Sequence, residues 1–510
     1  MSLLAVEKLC VSIAGQPLVH GISMSVERGR CTAIIGESGS GKSLSLSALL
    51  GLAPGVVATA QRACFDQRVE LLANPEARRA LLARQIGWVS QEPMSALNPF
   101  KTVAAQITEA YRGAQPPRQR AAQLLAEVGI RDPQQRLDDY PHQFSGGMRQ
   151  RVAIAMALVN DPALLICDEP TTALDVTVQA QILALLRQLQ QQRGLGLILV
   201  SHDLAVVAAV ADRVHVMRNG EFVDSGTPAQ LFGEPAHPYT ASLVAALPQP
   251  QQRRTAAPTP LLCATQLQVW RGSGRRARAV VDGVTLSVAR GEIVGLVGES
   301  GSGKSTLGRA LLGLLPVAAG TIQFAGQRLE ANAVTAAQRA ALQLVFQDPL
   351  ASLNPRYSVY QTLAEPLQLH SRQPQPLAQQ VRRLAADVEL PERLLQRRPS
   401  QLSGGQRQRA AIARALACQP QLLVADEAVS ALDLSVQADI LRLLQKLVRE
   451  QQLAVLFISH DLAVVRAIAD RVAVMCDGQL VEQGDTATLW NAPRHPYSQK
   501  LLGAVLSVPS

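Results

Sequence analysis

The sequence predicts an α/β fold in which one type of domain is used twice. A glycine-rich tract, GESGSGKS, occurs at residues 36–43 and again at 298–305. A short apolar run, typical of a buried parallel strand, precedes each tract, and helix-like stretches follow at 43–52 and 305–315. The later half then repeats the earlier one in the same order, which indicates duplication of a whole domain.

Both tracts fit G-x-x-x-x-G-K-[ST], the pattern of a phosphate loop. Glycines let the backbone curl so that N–H groups point at phosphate oxygens, and the lysine reaches the β- and γ-phosphates. A Gly/Ser-rich turn that matches by chance is the alternative, but two copies in the same setting disfavour it. The residues predicted to hold the phosphates of a nucleotide are Gly36, Ser38, Gly39, Gly41, Lys42 and Ser43, with Gly298, Ser300, Gly301, Gly303, Lys304 and Ser305 in the second copy.

Length and composition indicate a soluble protein of several domains. The chain has 510 residues, too many for one core at about 150 residues per domain. No apolar run reaches the roughly 18 residues that span a bilayer, and the N-terminus lacks the features of a secretory signal. The seven cysteines show no C-x-x-C spacing, which favours a reducing cytoplasm.

The net charge of +9 does not by itself identify a partner. The excess is mostly scattered arginine, and aromatic residues make up only 3% of the chain. Stacking platforms for bases are therefore not evident, and a solvated basic surface is the simpler interpretation. The sequence predicts no nucleic-acid partner.

The internal repeat fixes the expected domain boundaries. His460 follows His202 by 258 residues, and Glu427 follows Glu169 by the same interval. Residues 248–260 are rich in Pro and Gln and have no apolar face, which is typical of a linker. We therefore expect a first domain at 1–247, a linker at 248–260 and a second domain at 261–510.

A helical region is expected in the middle of each domain, at about 94–160 and 350–418. Each region contains a Ser-Gly-Gly tract that leads into a strongly helical stretch. Ser145 and Ser403 are plausible N-caps there, so the helix N-termini would offer free N–H groups to an anion. Gly147 and Gly405 belong to the same tracts.

Acidic and polar residues follow the apolar strands at the edge where open α/β sheets place their ligands. Asp168 and Asp426 would hold Mg²⁺ opposite Ser43 and Ser305. Glu169 and Glu427 would orient the attacking water, a role worth roughly 10²–10⁴-fold. The other predicted contacts are Gln91 and Gln347 with metal and water, and His202 and His460 with the γ-phosphate.

With these motifs the chain resembles the nucleotide-binding domains of the ATP-binding cassette (ABC) superfamily over nearly its whole length. The Ser-Gly-Gly tracts match that superfamily's signature, and the tracts at 173–175 and 431–433 match its D-loops. The resemblance implies two P-loop NTPase domains in tandem, each with a RecA-like α/β core, a β-rich subdomain and a helical signature subdomain. It also implies that the halves pair, with the signature of one completing the ATP site of the other.

Tracts outside the catalytic core resemble the peptide/nickel importer branch. They lie at 96–99, 140–143, 237–239, 352–355 and 495–497, and the tracts at 16–21, 41–45 and 426–430 resemble the ATPases of nickel importers. The resemblance implies an ATPase on the cytoplasmic side of the inner membrane that drives two transmembrane permease subunits. A periplasmic solute-binding protein would deliver peptides, nickel or metal chelates.

Some positions depart from the family pattern. Met148 replaces the usual Gln of the signature, and Ala428 and Val429 replace the usual Pro-Thr. Neither change removes a catalytic atom, so two competent sites are expected. Trp270 is the expected adenine-stacking aromatic of the second half, whereas residues 11–14 offer none, which predicts weaker ATP affinity at the first loop.

Two other functions are compatible with the same nucleotide-binding motifs. A soluble tandem cassette protein acting on ribosomes or nucleic acid usually has a long charged helical arm between its cassettes, unlike residues 248–260. The ATPase of a cassette exporter is disfavoured by the His-Pro-Tyr segments. Co-purification of permease subunits, or of ribosomes and RNA, would separate these alternatives.

Overall fold

The computed structural model describes the chain except for residues 1, 92–95, 173, 250–258, 273–277, 331–332, 371–374, 430–431, 507 and 509–510. The chain divides into two compact units. One comprises Met1–Leu174, Val178–Ala246 and Leu506–Ser510, and the other Asp175–Thr177 and Leu247–Val505. Most of the predicted linker lies outside the described residues, so its boundaries stay a prediction. None of the helices formed by the described residues is long and apolar enough to cross a membrane.

The first unit contains eleven strands and ten α-helices among its described residues. The strands are β1 (Ser2–Ile13), β2 (Gln16–Glu27), β3 (Cys31–Ile35), β4 (Val56–Thr59), β5 (Arg62–Phe65), β6 (Val69–Glu70), β7 (Ile86–Val89), β8 (Leu164–Asp168), β9 (Gly196–Val200), β10 (Arg213–Arg218) and β11 (Glu221–Gly226). The helices are α1 (Lys42–Leu50), α2 (Pro75–Arg84), α3 (Val103–Glu109), α4 (Pro117–Glu127), α5 (Pro133–Arg136), α6 (Gly146–Ala157), α7 (Val176–Arg193), α8 (Leu204–Val210), α9 (Pro228–Gly233) and α10 (Pro238–Ala245).

The core of the first unit is a six-stranded sheet in the order β11-β10-β3-β9-β8-β7. All neighbours in it are parallel except β11, which pairs antiparallel with β10. Every residue of β3, β8 and β9 is buried, as expected for parallel strands covered on both faces. A second sheet, antiparallel, has the order β2-β1-β5-β6, with β4 also on β1. The carboxyl ends of β3, β8 and β9 carry the candidate site.

The second unit repeats this organisation. Its strands are β12 (Pro260–Arg271), β13 (Arg278–Ala289), β14 (Ile293–Val297), β15 (Ala319–Phe324), β16 (Gln327–Arg328), β17 (Leu342–Val345), β18 (Leu422–Asp426), β19 (Ala454–Ile458), β20 (Arg471–Cys476) and β21 (Gln479–Asp485). Its helices are α11 (Lys304–Leu311), α12 (Ala336–Ala341), α13 (Pro349–Ser352), α14 (Val359–His370), α15 (Leu377–Asp387), α16 (Gly404–Leu416), α17 (Leu434–Gln451), α18 (Leu462–Ile468), α19 (Thr486–Asn491) and α20 (Pro496–Gly503).

The sheets of the second unit run β17-β18-β19-β14-β20-β21 and β13-β12-β15-β16. Between β17 and β18 the chain forms α13 to α16, just as α3 to α6 lie between β7 and β8. The predicted α/β fold with the same domain used twice is therefore confirmed. The helices after the phosphate loops are shorter than the apolar pattern indicated: α1 ends at Leu50, because Gly51 adopts a left-handed φ of 68° that caps it.

Candidate functional site

Each phosphate loop joins a buried strand to a helix whose first residue is the loop lysine. Gly36 and Gly298, which open the loops, have φ of 149° and 153°. A Cβ atom at either position would lie 2.1 Å from a backbone carbonyl oxygen, that of Met217 or that of Met475. Glycine is therefore required there, because the loop packs directly against the backbone of the neighbouring strand.

The loop lysines are buried and held by the loop itself. Lys42 Nζ donates to the carbonyl oxygens of Gly36 and Glu37, both at 2.8 Å. Lys304 Nζ makes the same bonds to Gly298 and Glu299, at 2.8 and 2.9 Å. Burial lowers the pKa of Lys304. An ammonium group fixed inside a curled loop is suited to binding a phosphate as a point charge.

A hydroxyl and a carboxylate meet beneath each loop. Ser43 Oγ donates to Asp168 Oδ1 at 2.7 Å, and Ser305 Oγ donates to Asp426 Oδ1 at 2.8 Å. Burial raises the pKa of both aspartates, although the serine hydrogen bonds oppose this effect. The serine hydroxyl and the aspartate carboxylate both offer hard oxygen atoms as metal ligands. Mg²⁺ prefers one or two such protein ligands together with substrate phosphates. These residues fit a magnesium ion.

The glutamates that follow the aspartates have an unusual backbone. Glu169 and Glu427 have φ of 47° and 50°, in the left-handed region that few residues other than glycine adopt. Their N–H groups donate to Val200 O and Ile458 O at 2.9 Å, which ties each strand end to the neighbouring strand. Such conformations are found where surrounding structure imposes them, often at functional sites. The sequence carried no signal for this feature.

Three side chains converge on the carboxylate of Glu169. Gln91 Nε2 donates to Oε2 at 2.9 Å, and Thr172 Oγ1 donates to the same oxygen at 3.0 Å. His202 Nδ1 lies 3.3 Å from Oε1. Burial favours the neutral acid, but the hydrogen bond and charge of His202 hold the pKa of Glu169 below its ordinary value. In return, Glu169 raises the pKa of His202.

The carboxylate of Glu427 has the corresponding Gln and His partners. Gln347 Nε2 donates to Oε2 at 2.6 Å, and His460 Nδ1 lies 3.3 Å from Oε1. The hydrogen bond from His460 lowers the pKa of Glu427, and burial opposes it. Burial disfavours the charged imidazole, yet Glu427 raises the pKa of His460. Both glutamates are thus kept ionised, as a general base must be.

The structure brings the predicted Gln, Glu and His of each half together. In the first half, Gln91 lies 78 residues before Glu169 in the sequence, and His202 lies 33 residues after it. It places the Gln and His on the glutamate carboxylate, where they orient it. The predicted contacts of Gln91 and Gln347 with metal, and of His202 and His460 with the γ-phosphate, stay predictions. Thr172, which also holds Glu169, was not singled out, because a lone threonine has no distinguishing sequence pattern.

The signature residues lie at the N-termini of α6 and α16. Ser145 Oγ caps α6 by accepting from Met148 N at 3.4 Å. Ser403 forms a reciprocal capping box with Gln406, with hydrogen bonds of 3.1 and 3.3 Å. A Cβ at Gly147 would come within 2.3 Å of a Val178 methyl group, so the second glycine of the tract is needed for close packing.

Three further predicted features remain: the adenine-stacking tryptophan, the D-loops and the His-Pro-Tyr segments. Trp270 is the penultimate residue of β12 and is 51% exposed. Ala173 and Ala431, from the predicted D-loops, lie outside the described residues. The tyrosines of the His-Pro-Tyr segments, which the sequence links only to the family resemblance, contact the phosphate loops through their hydroxyls.

Comparison with known proteins places this geometry in a family. A model described as "ABC transporter" matches residues 19–172 and 281–430. A second model, "Oligopeptide/dipeptide transporter, C-terminal region", matches residues 223–263 and 481–509. Both models therefore match twice, once in each half.

Full-length relatives agree with these matches. The "Peptidoglycan transport ATP-binding protein YejF" of Agrobacterium fabrum (strain C58) is 43% identical and aligns over 99% of this chain and 97% of its own length. The "Glutathione import ATP-binding protein GsiA" of Salmonella typhimurium (strain LT2) is 44% identical over 96% of this chain and 86% of its own. The protein of that name from Escherichia coli (strain K12) is 42% identical over 99% and 89%.

Proposed function

The chain belongs to the ABC transporter family as an ATPase with two cassettes, and on that premise we propose that it powers the import of small peptides. The observation that carries this proposal is the doubled site, in which a phosphate loop, a Ser–Asp pair and a Gln–Glu–His cluster meet at one sheet edge in each unit. Relatives named for glutathione import and peptidoglycan transport support peptide-like cargo. Nickel, suggested by short tracts alone, stays a prediction.

We propose that each loop binds ATP through its N–H groups and its lysine. Lys42 and Lys304 would contact the terminal phosphates, where their charge offsets the negative charge of ATP. Ser43, Asp168 and Gln91, with Ser305, Asp426 and Gln347, would hold Mg²⁺. When bound, the ion would neutralise charge on the β- and γ-phosphates.

Hydrolysis would be assisted by the glutamates. Glu169 or Glu427 accepts a proton on a carboxylate oxygen as the water oxygen bonds to the γ-phosphorus and the bond to the β-phosphate oxygen breaks. The neighbouring Gln and His fix the carboxylate by hydrogen bonds, and the His keeps it ionised, because its hydrogen bond and charge favour the charged form. This step leaves ADP and inorganic phosphate.

The partners follow from the importer assignment. We propose that two transmembrane permease subunits receive the work of ATP hydrolysis and that a periplasmic solute-binding protein delivers the cargo. The chain would then lie on the cytoplasmic side of the inner membrane. The pairing of the two halves that the family resemblance implies stays a prediction. In that pairing, Ser403 and Gly405 would complete the ATP site of Lys42, and Ser145 and Gly147 would complete that of Lys304.

Uptake of labelled peptides tests the proposal. A host that lacks this chain should fail to accumulate labelled glutathione or a labelled tripeptide, and the wild-type chain should restore uptake. The variant with both Glu169→Gln and Glu427→Gln should not restore it, although it still binds ATP. Uptake that does not depend on the chain, or co-purification with ribosomes or RNA in place of permease subunits, would contradict import.

A further inference from the structure

The His-Pro-Tyr segments end in tyrosines that reach the phosphate loops, and the proposed mechanism gives them no role. We propose that Tyr239 and Tyr497 are positioning residues, which orient the phosphate loop through its second residue and so set ATP affinity. This inference rests on the proposed function, because it assumes that the loops bind ATP.

Each tyrosine is held in place by the start of its own helix. His237 is the N-cap of α10, and its Nδ1 accepts from Tyr239 N at 3.1 Å. His495 does the same for Tyr497 N at 3.2 Å at the start of α20. The proline between them occupies the first helical position, where its missing N–H has no cost. The three residues of the motif thus have distinct tasks, and the tyrosine is the one that reaches the site.

Strands β11 and β21 anchor these helix starts through an acid. Asp224 Oδ2 accepts from His237 N at 3.2 Å and from Thr240 Oγ1 at 2.8 Å. In the second unit the carboxylate of Glu482 accepts from Arg494 N and His495 N, at 2.8 and 3.0 Å. The tyrosine is therefore connected to the central sheet by hydrogen bonds through the start of its helix.

The decisive contact joins the tyrosine hydroxyl to the loop backbone. Glu37 N donates to Tyr239 Oη at 3.2 Å, and Glu299 N donates to Tyr497 Oη at 2.9 Å. Tyr239 is only 5% exposed, and the Arg218 guanidinium lies 4.7 Å from its ring centroid. A buried hydroxyl on a fixed ring is a rigid acceptor.

A β-hairpin turn makes a second backbone contact with each loop. Gly220 N, in the turn between β10 and β11, donates to Ser40 O at 3.0 Å. Gly478 N donates to Ser302 O at the same distance in the second unit. The tyrosine and the hairpin turn thus hold each loop at its second and fifth residues, and Ser38 and Gly39, or Ser300 and Gly301, lie between these two contacts. Removal of the hydroxyl would take this acceptor away from the N–H of the second loop residue.

The test uses Tyr→Phe substitutions in the full chain, which keep the ring and remove only the hydroxyl. Tyr239→Phe is combined with Lys304→Ala, and Tyr497→Phe with Lys42→Ala, so that a fluorescent ATP analogue reports one loop at a time. Tyr111→Phe is the matched control, because Gln115 N donates to Tyr111 Oη at 3.2 Å outside the site. ATPase kinetics and hydrogen exchange of the loop amides are measured on the Tyr→Phe variants without the lysine changes.

We expect the dissociation constant at the altered loop to rise about three- to tenfold, as for loss of one hydrogen bond. KM should rise with kcat nearly unchanged, and the amide of Glu37 or Glu299 should exchange faster. Tyr111→Phe should alter none of these. Unchanged affinity and exchange in variants that melt at the wild-type temperature would overturn the inference, as would an equal effect of Tyr111→Phe. Failure of the wild-type chain to bind ATP would instead refute the proposed function.

Discussion

The two halves of the chain have almost the same reactive groups and different surroundings. The serine–aspartate hydrogen bond is 2.7 Å in the first half and 2.8 Å in the second, and the histidine–glutamate distance is 3.3 Å in both. Both glutamates have the same left-handed backbone. The similarity indicates that the halves share one chemistry.

The differences lie outside the reactive groups. Helix α16 begins with a full capping box at Ser403. Helix α6 begins with only a serine cap at Ser145, because the Met148 side chain does not accept a hydrogen bond from Ser145 N. Trp270 is the penultimate residue of β12, and the corresponding residue of β1 is Ser12. Because Trp270 is a predicted nucleotide contact, we expect the halves to differ in ATP affinity and not in mechanism.

Removing the general base should have the largest effect. Glu169→Gln and Glu427→Gln should each slow hydrolysis at the altered site by about 10²–10⁴-fold and leave ATP binding intact, since glutamine cannot accept the proton. Single-turnover hydrolysis and binding of a fluorescent ATP analogue measure the two effects. Glu109→Gln, which removes an exposed ion pair with Lys101, is the control. An effect confined to one half would break the equivalence of the two sites.

Exchanging the strand-end aromatic should change affinity by less. Trp270→Ala should weaken ATP binding at the second loop by about 1–3 kcal/mol, the value of one base–aromatic stacking contact. The reverse change, Ser12→Trp, should strengthen the first loop. Titrations in variants disabled at the other lysine separate the loops. Equal wild-type affinities of the two loops would show that the difference in aromatic residues has no consequence.

The capping difference predicts a smaller, local effect. Met148→Gln should complete the box at α6 and stabilise its first turn by about 1 kcal/mol, whereas Gln406→Met should weaken the first turn of α16 to a similar extent. Hydrogen exchange of the amides at 145–149 and 403–407 measures this. Slower exchange after Met148→Gln and faster exchange after Gln406→Met are expected, and no change in either would refute the argument.

The histidine–glutamate pairs predict a pH window for stability. The pKa values of His202 and His460 are raised by folding. The stability that their protonation contributes to the folded state is therefore complete below pH 6.5 and is lost as pH rises through the raised values. The glutamate pKa values are lowered, so their contribution is present above pH 4.5 and is lost as pH falls through the lowered values. His202→Gln and His460→Gln should each lower the melting temperature most between pH 4.5 and 6.5. A loss of melting temperature that has the same size at every pH would contradict the histidine–glutamate pairing.

The sequence predicted the parts of the fold and site that depend on local pattern. The phosphate loops, the strand-end acids and the duplicated order follow from residue types at fixed spacing, and the structure contains them. It could not predict that Gln91 and His202 bind one carboxylate, because their distances to Glu169 depend on how three strands pair. The left-handed Glu169 and the bond from Glu37 to Tyr239 likewise arise from tertiary contacts and not from local sequence.

The number of ATP molecules bound per chain tests the central claim, that both halves form competent ATP sites with one chemistry. In the variant with both Glu169→Gln and Glu427→Gln, calorimetric titration with ATP should give two sites per chain, while hydrolysis falls below about 1% of wild type. One site per chain, or turnover that is unchanged in this variant, would contradict the account.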